Sequence, residues 1–300
     1  MLERIITKIK SLIHGFGLDH FPWEVMFFSI IITSYVLMIE VKFVGWEKSS
    51  LKKIIKFDKS TRSDFICWVM DTFNISNVFG FVLSFGVFYF LVGLIQKNFG
   101  LNLITHIANP YLQAAIIFIA GDFKNYVRHY AFHKSKILWE LHQFHHSATH
   151  FNVLTRQRVH FLDPEISRFF DVMVFVLLGS PIYSYIAVRI FKEAHQLIIH
   201  SALTSDWGFI GKYILVSPAA HRLHHSTEER HYNKNMGNTF IFWDRLFGTY
   251  HPAEPIKNIG LPENKFNKDG YFKDLWKCII GATNILFHRN KMNILKKENK

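Results

Sequence analysis

WELHQFHHS (Trp139–Ser147) and HRLHHS (His221–Ser226) carry one pattern, His-x-x-His-His followed by Ser, about eighty residues apart. Polar side chains of this kind are costly to bury unless each finds a partner, so repeated clustering demands a shared purpose. On a helix, positions i, i+3 and i+4 share a face. The spacing therefore predicts two helices, one presenting His142, His145 and His146 and the other His221, His224 and His225. The segment DFKNYVRHYAFH (122–133) adds His129 and His133 at i, i+4, and EAHQLIIHS (193–201) adds His195 and His200. Eight of these histidines form the core of the constellation, with His195 and His200 as two further candidates.

Imidazole is a neutral ligand suited to iron, zinc, copper and nickel. One ion does not need eight ligands. Two ions sharing eight to ten imidazoles would take four or five each, which suits octahedral iron with a position left open. A tetrahedral structural zinc is satisfied by four ligands and normally recruits cysteine. Here Cys67 and Cys278 lie in apolar stretches and form no Cys-x-x-Cys pair, so they read as reduced, buried thiols. Isolated histidines such as His14, His106 and His288 read as ordinary surface or core residues.

The remaining sequence supplies the setting. The 300 residues are 49% hydrophobic and include 31 Phe, yet the mean hydropathy is only +0.10. Apolar segments must therefore alternate with polar blocks. Candidate membrane segments lie at 25–39, 75–95, 103–121 and 169–191. Pro110 suits a first helical turn and predicts a helix running past Asp122 to His133. Gly179, Ser180 and Pro181 interrupt the fourth segment and predict a hairpin that dips into the bilayer and returns, with one kinked span as the alternative. The expected fold is all-α: an integral membrane helical bundle of about four transmembrane helices or hairpins, capped by a cytoplasmic histidine-rich helical region. The expected divisions are an amphipathic segment (1–22), an N-terminal transmembrane region (23–109) with a basic loop at 41–64, a histidine-bearing domain (110–251), and a basic polar tail (252–300) with an interfacial helix at 273–287.

A net charge of +12 invites a nucleic-acid reading. Much of the excess, however, sits in Lys42, Lys48, Lys52, Lys53, Lys56, Lys59 and Arg62, beside apolar runs. That placement follows the positive-inside rule and attracts anionic lipid, so no nucleic-acid partner is expected. It puts the histidines on the cytoplasmic side. The N-terminus lacks the short apolar core of a cleaved signal. The composition leans towards a bacterial inner membrane rather than the endoplasmic reticulum.

The order HxxxH, HxxHH, HxxHH resembles the fatty acid hydroxylase and sterol desaturase superfamily of integral membrane di-iron oxygenases, over about residues 110–251. Asp122 opening DFxxYxxHxxxH, Trp139 ahead of the first triplet, and WDRLFGTY (243–250) strengthen the resemblance. It implies His129, His133, His142, His145, His146, His221, His224 and His225 as ligands, with His200 matching an intervening family histidine and His195 a weaker match. The sequels HHSATHFN (145–152) and HHSTEERHYN (224–233) share His, an aromatic and Asn in succession. His150 and His231 are therefore expected to support ligated imidazoles through their other nitrogen, with His160, Asp122, Asn235 and Asp244 beside them. Asp163, Glu165, Glu193 and Asn238 are further such candidates, against the plainer reading of each as a cap or ion pair.

The resemblance implies two iron ions, O2 as co-substrate, and external electrons used to hydroxylate or desaturate a lipid, whether sterol, fatty acyl, sphingoid or a related chain. The chain has no GxGxxG, and His251-Pro252 lacks the glycines of a haem-binding motif. A separate redox partner is therefore expected: a reductase, ferredoxin or cytochrome docking on the basic surface around Lys52, Lys53 and Lys56. Two alternatives stay open, a zinc-dependent membrane hydrolase and a non-catalytic membrane metal-binding protein.

Overall fold

The computed structural model describes residues 23–73, 75–83, 87–179 and 182–298. The amphipathic segment expected at 1–22 lies outside them. The helices that position the site begin where side chains can cap them. Asn109 accepts from the amides of Tyr111 (2.9 Å) and Leu112 (3.2 Å), and Pro110 follows at the first turn, starting a helix over Pro110–Lys134. Ser135 then serves twice. Its amide closes that helix on the carbonyl of Ala131 (2.9 Å), and its hydroxyl caps the next, Lys136–His146, through Leu138 N. A single residue thus turns the chain between HxxxH and the first triplet. Ser217, with Pro218 behind it, caps Pro218–His224, the short helix of the second triplet.

In chain order the elements are α1 (Trp23–Val44), α2 (Ser50–Lys56), α3 (Lys59–Thr72), α4 (Ile75–Leu83), α5 (Val87–Phe99), α6 (Pro110–Lys134), α7 (Lys136–His146), α8 (Asp163–Leu178), α9 (Ile182–Ile199), α10 (Gly208–Tyr213), α11 (Pro218–His224), α12 (Phe242–Leu246) and α13 (Tyr271–Glu298). No strand occurs among the described residues; two isolated bridges, Leu215 with Phe240 and Ser226 with Ile259, stitch loops together. α6 is the axis: α7, α8 and α9 pack on it, α5 packs on α8, and α1 on α9. α13 lies along α7, and Gly281 makes that approach feasible, since a Cβ there would collide with the Glu140 carboxylate. Beneath α7 a core of Leu141, Phe144, Phe161, Phe266, Leu275 and both cysteines is closed to solvent. Cys67 and Cys278 are free thiols, each pushed up to about 12 by burial.

The helical fold and the histidine-rich helical region agree with expectation. The expected spans do not: among the described residues no helix is long and apolar enough to cross a membrane. Charge is the physical reason in the long helices. α6 carries Asp122, Lys124 and Arg128 in its second half, and α9 carries Arg189, Lys192 and Glu193. Each is apolar at one end and polar at the end that bears histidine. The second expected span is described as two helices, α4 and α5, on either side of residues outside the description.

Candidate metal centre

Nine imidazoles meet at the polar end of α6, in two groups. His129, His133, His142, His146 and His224 form one, and His145, His200, His221 and His225 the other; within each, one nitrogen per ring lies within 4.8 Å of all the others. The groups adjoin, because the rings of His146 and His225 stack at 4.1 Å. Each triplet is divided between them. The i, i+4 pair of the first triplet, His142 and His146, joins the five-histidine group, while His145 points to the four-histidine group. The second triplet does the reverse: His221 and His225 join the four, and His224 the five. A helical face shared by three histidines is thus wide enough to serve two neighbouring centres.

All nine are buried apart from the half-buried His133. Burial, reinforced by neighbouring imidazoles, holds His129, His133, His145, His146, His221 and His225 well below the ordinary histidine value. The same desolvation lowers His200 to about 3 and His224 to about 4. His142 is also lowered by burial, against the opposing charge of Asp163. The cluster is therefore neutral at pH 7, the form in which imidazole ligates.

Backbone carbonyls fix the tautomers. Nδ1 of His129 donates to Met236 O (2.7 Å), that of His224 to Lys234 O (2.8 Å), that of His145 to Arg158 O (3.1 Å) and that of His200 to Gln196 O (2.9 Å). Each Nε2 lone pair is left facing inward. These nitrogens crowd together: His221 to His200 at 3.0 Å, His133 to His146 at 3.2 Å and His145 to His200 at 3.5 Å. Two nitrogens about 2.1 Å from one ion, at a right angle, sit roughly 3.0 Å apart. Both nitrogens of His142 and His225, Nε2 of His224 and Nδ1 of His221 are buried without a hydrogen-bond partner. Orphaned polar atoms of this kind each cost about 1–3 kcal/mol. Converging neutral donors with unmet lone pairs are what a pair of metal ions would satisfy.

The supports behind the two groups come from different parts of the chain. For the five, Asn233 (φ 60°) and Asn235 (φ 51°) kink the 233–237 loop so that the carbonyls of Lys234 and Met236 both reach histidines. Asp244 holds that loop by accepting from the amides of Met236 (2.6 Å) and Gly237 (2.8 Å) and from the Thr249 hydroxyl (2.6 Å). A side chain at Gly237 would strike Phe240 O at 2.6 Å. Burial raises Asp244 to about 6. Asp163 stands 3.8 Å from His142 Nδ1, beyond hydrogen-bond range; burial pushes it up, but Arg128, His142 and Ser167 together hold it at about 2.

For the four, Arg158 and Asp64 form a fully buried ion pair at 2.6 Å. Arg158 also donates to Ser147, Asn267 and Ser60, and its carbonyl takes the His145 proton. Glu40, fully buried on α1, accepts from Ala202 N (2.6 Å), beside His200, and from Ser50 N (2.6 Å) and its hydroxyl (2.7 Å). Lys53 donates to Phe151 O (2.9 Å), and the Phe151 ring packs against His225 at 4.8 Å and His200 at 5.5 Å. The spacing of the histidines gives no signal of Glu40, Asp64 or Arg158. The only trace in the sequence is that all three are charged residues in or beside apolar surroundings.

Several expected residues stand elsewhere. His195 belongs to neither group, because its Nε2 is turned to Val216 O at 2.9 Å. His160 is engaged by backbone on both nitrogens, Leu275 O and Leu162 N, each at 3.2 Å, and pins α13. His150 bonds Thr61 (3.1 Å) and Thr149 (3.3 Å), and His231 bonds Glu254 (2.7 Å); neither bonds a clustered imidazole. Asp122 accepts from Phe240 N (3.0 Å) and Trp243 Nε1 (3.1 Å), fastening the WDRLFGTY segment to α6. Asn235 bonds Ala220 O and His251 N within the loop that serves the five. Lys53 faces inward rather than forming a docking surface, whereas Lys56, Lys59 and Arg62 are exposed.

Comparison with known proteins adds independent information. Residues 114–249 match the family described as fatty acid hydroxylase. The chain is similar to an alkylglycerol monooxygenase of Caenorhabditis elegans (31% identical over 53% of this chain and 32% of that one) and to that of Danio rerio (35% over 49% and 32%). It is also similar to the ornithine lipid hydroxylase OlsE of Rhizobium tropici (28% over 50% and 45%). The matches thus span about a third of the alkylglycerol monooxygenases and under half of the ornithine lipid hydroxylase. No solved structure matches.

Proposed function

We propose that the chain, whose residues 114–249 match the fatty acid hydroxylase family, is an oxidoreductase that hydroxylates an aliphatic chain of a lipid, using O2 and two iron ions. The observation that carries this reading is the double group of nine neutral imidazoles with inward lone pairs. Five donors leave an octahedral ion one position and four leave it two, whereas a tetrahedral zinc would be saturated by four. This arithmetic favours iron over the hydrolase and scaffold alternatives. Bound iron would activate O2, the oxidant for the C–H bond, and pass it the two electrons that an external donor delivers. The overall change consumes one O2, two electrons and two protons and yields an alcohol and water. Hydroxylation is preferred to desaturation because the relatives are named a monooxygenase and a hydroxylase.

The chain's own residues would hold the ions, keep the ligands neutral and exclude water. Phe151 covers the four-histidine group, and Trp139 lies against His133 (5.0 Å) and His146 (5.2 Å) of the five. The lipid would enter from a bilayer that receives the apolar end of the bundle. Support comes from exposed Tyr111 (84%), Phe90 (68%) and Phe99 (62%) near that end. Along α6, His129 lies about 27 Å from Tyr111, so the histidines would sit towards the membrane surface. Electrons would come from a separate donor docking on exposed Lys56, Lys59 and Arg62.

The test is metal content per chain after anaerobic ferrous reconstitution, with O2 uptake on adding reductant and lipid. Two irons per chain and a hydroxylated lipid product are expected. Two zincs that ferrous iron cannot displace, with no O2 uptake, would overturn the reading.

A further inference from the structure

Among the described residues, one more set of potentially ligating side chains converges outside the two groups. His231, His251 and Glu254 offer ligand atoms that lie within 4.8 Å of one another, and the set shares no residue with the nine. His231 is fully buried on a short 3-10 turn (Glu229–His231). Its Nε2 meets Glu254 Oε1 at 2.7 Å, and its Nδ1 is buried without a partner. The His251 ring stands 5.1 Å from that of His231; its Nδ1 lies 2.8 Å from Pro252 O, which leaves Nε2 as the ligating nitrogen. Asn235 holds His251 in place through its amide at 2.9 Å.

An ion pair alone does not account for this arrangement. Arg230 reaches the same Glu254 oxygen at 2.9 Å, but Arg230 is 59% exposed, and such pairs contribute little. They give no reason for a second imidazole to approach. Two imidazoles and one carboxylate are a donor set for a zinc-class divalent cation with a position left open. The cation would replace the proton shared by His231 and Glu254. Access exists, because Glu254 also lines a solvent-open cleft of about 740 Å³ together with Asp206, Arg222 and Lys257.

We propose that His231, His251 and Glu254 form a third metal site, for a divalent cation of the zinc class, that staples residues 251–260 to the turn following the second triplet. That strap already touches the triplet: Gly260 N donates to His225 O (2.9 Å), Thr227 N to Asn258 O (3.1 Å), and Lys257 N to Glu228 (3.1 Å). A cation held by His251 and Glu254 would tighten the backbone that carries His225.

The test is zinc stoichiometry by equilibrium dialysis and elemental analysis on the full chain. Four proteins are compared: wild type, His251→Asn, Arg230→Gln, and His145→Ala/His224→Ala. His251→Asn should bind one zinc fewer per chain than wild type, and the double variant should keep that third zinc. Arg230→Gln should tighten the site by up to roughly fivefold, since it removes the competing guanidinium. Equal zinc in wild type and His251→Asn, or weaker binding in Arg230→Gln, would overturn the proposal. The proposal is independent of the oxygenase reading, because a zinc lost with His251 and kept without His145 and His224 would support it even if no iron bound.

Discussion

The five-histidine and four-histidine groups draw on the same two triplets, yet the chain holds them differently. The five is braced from nearby sequence: Lys234 and Met236 orient His224 and His129, and Asp244 and Thr249 hold the loop that presents those carbonyls. All of these lie within the stretch that matches the family. The four takes its orienting carbonyls from Arg158 and Gln196 inside the match, but these surroundings are braced from outside it, by Glu40, Lys53, Ser60 and Asp64 before the match and by Gly260 and Asn267 after it. One group is local and holds more imidazoles. The other holds fewer and depends on distant parts of the chain. The comparison teaches that a match over 114–249 captures every clustered histidine but not all of what fixes them.

The largest effect should come from the ligands themselves. His221→Ala leaves the four-histidine group with three imidazoles, whereas His224→Ala leaves the five with four. Both should lower turnover more than about 100-fold, beyond the loss typical of a residue that only supports a ligand. Metal content should separate them: His221→Ala should lose close to one ion per chain, and His224→Ala should keep both. Equal loss in the two variants would break the asymmetry.

Acid should come next. In the metal-free chain, unfolded histidines take up protons near 6.5, while the clustered ones stay neutral until far lower, His224 to about 4 and His200 to about 3. The unfolded state therefore binds more protons as pH falls below 6.5, and stability drops across that window; above pH 7 both states are neutral and nothing more is gained. Each histidine contributes about 1.4 kcal/mol per pH unit inside the window. Denaturant midpoints between pH 7.5 and 5.5 should fall steeply, and His142→Gln should flatten the slope by one proton. A midpoint independent of pH would mean that the imidazoles are not buried as neutral donors.

How much of this was legible in the sequence follows from the range of the interactions. The triplets and HxxxH could be read because spacing on a helix is local, and His200 through its match to an intervening family histidine; the fold brings all of them together. The start of α6 at Pro110 could be read because it too is local. The division of each triplet could not, because it depends on which side each helix is approached from. Arg158 and Asp64 lie 94 residues apart in sequence. The kink at Asn233 and Asn235, and which carbonyls it aims at His129 and His224, requires the fold. His195 looked like a ligand and His160 like ligand support because histidines near a cluster attract those readings; backbone carbonyls claim both instead. The apolar segments were real, but charges in the histidine-bearing halves of α6 and α9 shorten them.

Arg158→Met tests the remote bracing of the four. It leaves Asp64 buried with its charge uncompensated, and breaking a buried pair from one side costs about 3–5 kcal/mol. Urea unfolding should show that loss. At matched folding, metal should leave the four-histidine group first, since the Arg158 carbonyl orients His145. Loss from the five instead would reverse the assignment of supports.

Asp244→Asn should be the gentlest of these changes and the sharpest probe of the five. The amide keeps the size and one oxygen acceptor, but its NH2 faces an amide donor, either Met236 N or Gly237 N, where the carboxylate accepted from both. One orphaned donor costs about 1–3 kcal/mol. The loop should shift where it aims Met236 O at His129, so metal affinity at the five should weaken by about 10–100-fold while the four is untouched. His129 then holds its tautomer less firmly, yet four other imidazoles remain in its group. The variant should therefore bind two ions at saturating metal and differ from wild type only when metal is limiting. A variant that lost metal from both groups equally would mean that the two centres share one support, and that the local and distant bracing described here act as a single unit.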